Sequence, residues 1–475
     1  MSAHKTNKRM LLAGVAGNLL EWFDFAVYGF FAVTIGKVFF PKEDPVAQVI
    51  AAFGVFAVGF LMRPIGGVLL GHIGDKHGRQ TAMLVSIVAM AIPTFLVGLL
   101  PGYATLGLAA PILLLLLRMV QGLSVGGEYT TSIVYMIEHS PPKQQGFIGS
   151  FAVSGAVGGM LLGSGFGALL ANLLTDQQLQ EWGWRVPFLV GLVLGLAGLY
   201  LRREPPVAAS ATPKLTTSPL VEAFKHHRKV MAQIAGLSLV NATVFYLAFV
   251  YIVSWLETVD GIAAKTALEI NTVSLLALLP VMVFGGWLSD RIGGKPVLLF
   301  SAALLAVFAW PFFWLMHQSS QASIYTGQLG FALLTGLYLG AQPAFMVKVI
   351  PAAVRCTAAG LGYNITLGIA GGLSPMVATW LVNRTHDDLS PALMIMVASI
   401  VTVVTLWSVR EPTQEKTVDY VARARDLVKA IDQGGTPSNA VIINRIARGL
   451  GLDVSKDAPI KETIERIRQA LQRTS

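Results

Sequence analysis

Five ionisable side chains stand inside long apolar stretches of this sequence: Glu21, Asp24, Arg63, Arg118 and Glu128. A charge held away from water costs at least about 2.5–3.5 kcal/mol on membrane-insertion scales, so each of these asks for a reason. A carboxyl in a low-dielectric cavity favours its neutral form and can pick up and release a proton. A guanidinium stays charged and can hold a carboxylate through two parallel bonds. On that chemistry Glu128 is the first candidate for a proton carrier, followed by Asp24 and then Glu21. The alternative for Glu128 is a permanent ion pair with Arg63 or Arg118, and for Asp24 a bond to a neighbouring helix. Arg118 is the candidate for gripping a solute carboxylate, or else for organising helices. Arg63, followed by Pro64 and Gly66-Gly67, suits a structural or gating duty.

The spacing groups these residues. At 100° per residue, Glu21, Asp24 and Tyr28 share one helical face. Gln121, Glu128 and Tyr135 are heptad-spaced, with Ser132 one turn beyond Glu128 and Gly122, Gly126 and Gly127 on the adjoining face, where small residues admit a neighbouring helix. The second half of the chain offers no acid inside its apolar stretches. It offers Asn241, Thr243, Tyr246, Gln342 and Asn364, and the aromatic rings of Phe245, Phe249 and Trp255. Tyr28, Gln121, Tyr246, Gln342 and Asn364 join Arg118 as candidate solute contacts. Aromatic faces attract quaternary ammonium by about 0.5–2 kcal/mol per contact.

The elements that must position these groups follow from composition. The chain has 475 residues, 54% of them hydrophobic and 13% charged, with a mean hydropathy of +0.63. Soluble domains carry about 25% charged residues. A single cysteine, Cys356, excludes a disulfide scaffold. Twelve apolar segments are long enough to cross a bilayer as helices: roughly 10–36, 46–74, 81–100, 110–136, 147–172, 186–202, 231–256, 270–289, 296–316, 324–349, 356–382 and 391–409. The acids in the first segment, and the lack of a small-residue cleavage site, read as an uncleaved first helix. With both termini on the cytoplasmic side, the outer loops hold only Lys37, Lys42, Arg185, Lys265 and Arg384, and most of the remaining Lys and Arg lie inside. The net charge of +9 is then a property of cytoplasmic loops and not of a nucleic-acid-binding surface.

The chain also repeats itself. Gly71-His72-Ile73-Gly74-Asp75-Lys76-His77-Gly78-Arg79-Gln80 follows the second segment, and Gly286-Trp287-Leu288-Ser289-Asp290-Arg291-Ile292-Gly293-Gly294-Lys295 follows the eighth. Arg203-Glu204-Pro205 and Arg410-Glu411-Pro412 close the two halves. The expected fold is an all-α membrane protein of twelve transmembrane helices in two pseudo-symmetric six-helix bundles, with a solute site between them. The expected domains are 1–202, a cytoplasmic central loop 203–230, a second bundle 231–411 and a cytoplasmic helical tail 412–475. In that tail Ile460, Ile464, Ile467 and Leu471 form one apolar face, with Pro459 in the first turn of the last helix.

The 71–80 decapeptide, its echo and the Arg118-Met119-Val120-Gln121-Gly122 run resemble the major facilitator superfamily. The Gly17–Phe25, Arg63–Gly67, Gln121–Tyr129 and Trp182–Phe188 runs are similar to its metabolite:proton symporter branch. That resemblance implies the major facilitator fold and proton-coupled uptake of a small organic solute in a cell (inner) membrane. It also implies gating by Asp75, Arg79, Asp290 and Arg291 at the cytoplasmic helix ends. The branch contains proline/betaine, dicarboxylate and citrate permeases. One well-placed cation suits a zwitterion such as proline or glycine betaine. The alternatives are a di- or tricarboxylate such as 2-oxoglutarate or citrate, and an uncoupled facilitator. The tail lacks the sustained heptads of the osmosensing members. No metal cluster, nucleophile–base pair or Walker motif is present in the sequence, which reads against an enzyme. The expected partners are the solute, protons and the lipid bilayer, with the proton as coupling ion, no other cofactor, no nucleic acid, and a monomeric chain.

Overall fold

The computed structural model describes residues 19, 21–41, 44–77, 79–125, 128–138, 140–201, 228–318, 320–351, 355–409, 420–433, 440–450, 452, 454 and 458–472. The side chains of Asp75, Arg79, Glu128, Ser132 and Tyr135 lie outside the described residues, although their helical backbones are placed. The described residues divide into two compact units, 19–409 and 420–472.

Helix is the regular structure found among the described residues of the first unit. Its twelve spans are α1 (Glu21–Phe30, bent into Ala32–Phe39), α2 (Pro45–Leu61, then Arg63–His77), α3 (Arg79–Leu99), α4 (Ala109–Val125, then Glu128–Glu138), α5 (Gln145–Leu173) and α6 (Arg185–Leu201). They continue as α7 (Arg228–Thr258), α8 (Ala264–Ile292), α9 (Gly294–Met316), α10 (Gln321–Val349), α11 (Arg355–Thr366, then Gly372–Thr385 beyond a π turn) and α12 (Ser390–Ser408). Within a bilayer the backbone must satisfy its own hydrogen bonds, and long apolar runs do so only as helices. Local signals set the ends. Asp44 accepts from the amides of Val46 and Ala47 with Pro45 at the first helical position, and Pro391 lies in the first turn of α12.

The structure refines three expectations. The first span is not straight: its two pieces meet at 68°, at Phe31. The second decapeptide is largely helix, because α8 runs on to Ile292. Gly293, at φ 96°, then provides the left-handed turn into α9. In α7 and α11 the hydrogen-bond ladder loosens into π turns, Leu247–Tyr251 and Leu367–Gly371.

Burial separates inner from outer spans. The most apolar windows of α7 and α10 are 89% buried, against 39–44% for α8, α9 and α12. The outer faces present Val193, Phe300, Val404 and Trp407, as lipid contact requires. Each half repeats one close crossing. A Cβ on Gly122 of α4 would lie 2.0 Å from the carbonyl oxygen of Gly59 on α2, and one on Gly340 of α10 would lie 2.0 Å from that of Met282 on α8. Only glycine fits at either crossing.

The second unit is a three-helix body: α13 (Tyr420–Asp432), α14 (Ala440–Gly449) and α15 (Ile460–Gln472). Its own core contains Ala424, Ile443, Ile446, Ala447, Val454, Ile464 and Ile467. Asn444, buried, donates to the Ala458 carbonyl and accepts from the Thr463 hydroxyl. Pro459 stands just before α15, its carbonyl taking the Thr463 amide.

Candidate functional site

Two ion pairs are strung along α1. Glu21 and Asp24 lie one turn apart, and each finds an arginine on a different helix. Arg63 of α2 donates from Nη2 to Glu21 Oε1 at 3.1 Å. Arg118 of α4 donates from Nη1 to Asp24 Oδ2 at 3.0 Å. Both guanidinium groups are 1% exposed, so the pairing is what makes the burial of charge tolerable.

The partners of the Asp24–Arg118 pair among the described residues all belong to the first bundle. Arg118 Nη1 also donates to Gln121 Oε1 at 2.7 Å, and Gln121 Nε2 donates to the Thr94 hydroxyl at 2.9 Å. The guanidinium carbon lies 3.9 Å from the ring centre of Tyr28, whose hydroxyl donates to the Ala52 carbonyl. Arg118, Gln121 and Tyr28, expected as solute contacts, therefore form one network joining α1, α2, α3 and α4.

The Glu21–Arg63 pair sits beside a different environment. Arg63 lies 5.3 Å from the ring centre of Trp22 and 5.2 Å from that of Phe60. Trp22 belongs to the wall of a cavity at the seam between the bundles. That wall is built by Trp22, Tyr129, Phe245, Tyr246 and Tyr363, with Asn241 and aliphatic side chains of α5, α10 and α11. The rings interlock. Trp22 meets Tyr129 edge-on at 5.8 Å and Phe245 at 6.5 Å, and Tyr129 lies over Tyr363 at 5.5 Å. The Tyr246 hydroxyl is buried and has no hydrogen-bond partner among the described residues. The free space is about 20 Å³, room for about one water. A larger solute enters only if the helices part.

Of the second-half candidates, Tyr246 is in this wall. Gln342 stands behind it, accepting at 2.9 Å from Asn241, which does line the cavity. Asn364 is buried next to Tyr363 without belonging to the wall. Glu128, Asp75 and Arg79 lie outside the described side chains. Trp22, Tyr129 and Tyr363 were not among the sequence candidates. Their signal was adjacency, because Trp22 follows Glu21, Tyr129 follows Glu128 and Tyr363 precedes Asn364.

At one end of the seam Asp290 of α8 accepts from the amides of Gly146 and Phe147, at 2.7 and 2.8 Å, capping α5 of the other bundle. The helices come close there because a Cβ on Gly146 would sit 2.3 Å from the Gly286 carbonyl oxygen. Arg355 and Glu138 pair across the same end at 2.6 Å. Arg291 is not in that contact and lies 4.8 Å from the ring centre of Trp287. Further along α5, Ser164 meets Asn271 and Thr272 of α8 at 3.2 and 2.9 Å. Beyond the end of α7, Asp260 lies 2.6 Å from His317 Nδ1, and Asp388 lies 3.9 Å from the other ring nitrogen. Burial pushes the Asp260 carboxyl above the usual carboxylate range, and its hydrogen bond and charge contact with His317 pull it back.

The comparisons with known proteins agree with this architecture. The family model described as Major Facilitator Superfamily matches residues 15–375. The chain is 36% identical over 438 residues to the proline/betaine transporter of Salmonella typhimurium, covering 89% of this chain and 87% of that protein. It is equally identical, over 437 residues with the same coverage, to a glycine betaine/proline/ectoine/pipecolic acid transporter of Dickeya dadantii. Among solved structures, a D-xylose-proton symporter superposes with a TM-score of 0.67 at 19% identity, covering 85% of this chain and 98% of that one. A partially occluded, inward-open xylose transporter from E. coli reaches 0.69 at 16% identity, covering 86% and 99%.

Proposed function

The chain belongs to the major facilitator superfamily, and from that premise we propose that it is a secondary transporter taking up a small zwitterion, such as proline or glycine betaine, together with protons by alternating access. The observation that carries the solute class is the aromatic cavity at the seam. Five rings around one small space attract a quaternary or secondary ammonium through their faces, most strongly when the site is dry.

Charge balance points the same way. Each buried arginine already has a carboxylate, so the two described pairs together carry no net charge. A zwitterion adds no net charge to them. A dicarboxylate or citrate adds two or three negative charges and finds no uncommitted cation among the described residues lining the cavity, which is costly in a low-dielectric interior.

Proton coupling is assigned to the acids of the first bundle, Asp24, Glu21 and Glu128. Asp290, with Asp75, Arg79 and Arg291 at the ends of the helices, is assigned to gating; Arg63, which the sequence suggested for a structural or gating duty, stands at membrane depth beside the cavity wall. In this reading the Asp290 end faces the cytoplasm, as do both termini, and the protein works as a monomer in the cell inner membrane with the proton as its only coupling ion. Uptake by purified protein in sealed vesicles is the test. An inward proton gradient accumulates glycine betaine or proline uphill, a protonophore abolishes that, and 2-oxoglutarate and citrate do not compete. Accumulation indifferent to the protonophore would make the protein a facilitator.

A further inference from the structure

The two arginines differ in what surrounds them. Arg118 touches Asp24, Gln121, Tyr28 and Phe25, none of which lines the cavity. Arg63 packs against the Trp22 indole, which does. Two more wall residues stand one ring away: Tyr129 meets Trp22 edge-on at 5.8 Å, and Tyr246 meets Phe60, on which Arg63 also packs, at 5.1 Å. One guanidinium nitrogen of Arg63 is spent on Glu21; among the described residues its buried Nε has no hydrogen-bond partner, and neither do Nε and Nη2 of Arg118, so it is position beside the cavity and not spare donors that sets Arg63 apart. Glu21 is the more accessible of the two paired acids, at 11% against 4% for Asp24.

A zwitterion whose cationic head sits among the rings must place its carboxylate a few ångströms away. From the Trp22 side of the cage, the guanidinium next to it is Arg63. We propose that the solute carboxylate replaces Glu21 on Arg63, and that the displaced Glu21 takes up the proton that is co-transported. This rests on the zwitterion reading above. The exchange balances. Before binding, Arg63 is paired with ionised Glu21. After binding, Arg63 is paired with the solute carboxylate, and Glu21 has gained one proton from water and is neutral. The cationic head is held by the rings, so the site gains one positive charge overall, that of the proton, and this is the charge carried across.

A carboxylate that gives up its guanidinium at membrane depth is costlier as an anion. Protonation removes that cost and makes solute and proton bind together. The other titratable groups facing the pair among the described residues are Tyr129 of α4, Tyr246 of α7 and Tyr363 of α11, whose hydroxyls carry no charge that competes for Arg63. Arg63 is thus a specificity-determining residue, and Glu21 the coupling acid.

The experiment is calorimetric binding to the purified full-length protein between pH 5 and 8, in pairs of buffers with different ionisation enthalpies. Glycine betaine binding takes up close to one proton at the pH of maximal uptake, and its affinity strengthens by up to tenfold per unit fall in pH. Tetramethylammonium, which has the head group and no carboxylate, binds with no proton uptake. In Glu21→Gln, glycine betaine binds without proton uptake and with a flat pH profile. Uptake of a proton with tetramethylammonium, or undiminished proton uptake in Glu21→Gln, overturns the exchange. Should that variant fail to fold, the contrast between the two ligands on the wild-type protein decides alone. Failure of glycine betaine and proline to bind at all is a different result, and it overturns the solute reading.

Discussion

Replacing Phe245 by leucine isolates what the aromatic wall contributes to recognition. Phe245 is 6% exposed, with its ring 6.5 Å from Trp22, 6.0 Å from Tyr246 and 5.6 Å from Phe249. It carries no polar group, so Phe245→Leu removes a π face while keeping an apolar side chain. A desolvated cation–π contact is worth about 2 kcal/mol, which is roughly 30-fold in affinity. The useful quantity is a ratio: affinity for glycine betaine over that for its carbon isostere, 3,3-dimethylbutanoate, which has the same shape and no positive head. Loss of packing lowers both affinities and leaves the ratio alone. Loss of the π face narrows it by roughly 30-fold. Competitive uptake in vesicles, or direct calorimetry, gives both numbers. A ratio within about threefold of the wild-type value would refute the claim that the ring recognises charge. The variant also gives up ring–ring contacts of about 0.5–1.5 kcal/mol each, so its melting temperature must be recorded with the affinities.

Three further outcomes are expected. Arg118→Met leaves the Asp24 carboxylate buried without its partner and destabilises the protein by about 3–5 kcal/mol, whereas the Arg118→Met/Asp24→Leu double variant recovers most of that loss. Melting in detergent checks this, and equal loss in single and double variants would remove the pair from the stability account. Asp290→Ala deletes two cap bonds that exist only while the bundles are closed at that end. At about 0.5–2 kcal/mol this raises the open population roughly two- to thirtyfold, read as faster alkylation of Ser150→Cys in a Cys356→Ser background. Glu138→Gln, at a partly exposed pair worth under about 1 kcal/mol, has the smaller effect. His317→Asn removes the groups that pull the Asp260 carboxyl down. Because burial raises that carboxyl in the folded state, its contribution is complete in acid and is lost as pH rises through the folded value. The variant extends that window upward, so its melting temperature falls further behind wild type as pH rises above the ordinary carboxylate range. Parallel curves would contradict the assignment.

Much of the fold was legible because span length and apolarity are properties of contiguous sequence. The bend in α1 was not, since no proline marks Phe31. The ionisable residues were found by type alone, but their partners were not. Helical periodicity places Glu21 and Asp24 on one face and says nothing of which arginine on another helix each will meet. Arg118 was expected at the solute because it is the cation in the apolar part of its helix. Tertiary contact with Asp24 and Gln121 gives it another environment, and Arg63 stands nearer the cavity. The aromatic wall was partly visible in Phe245 and Tyr246. Its other rings come from α1, α4 and α11, and convergence from helices far apart in the chain leaves no local pattern. Asp290 was expected at a gate through its resemblance to the first decapeptide, and the contact it makes with α5 required coordinates.

The uneven distribution of charge between the bundles has an evolutionary consequence. Among the described residues the membrane-depth ion pairs belong to α1, α2 and α4, while α7 and α11 contribute neutral rings and amides to the cavity. Substitutions in those later helices can remodel the pocket without disturbing the groups assigned to energy coupling. A lineage built on this plan can diversify its diet by drift in one half of the gene, keeping its engine intact in the other.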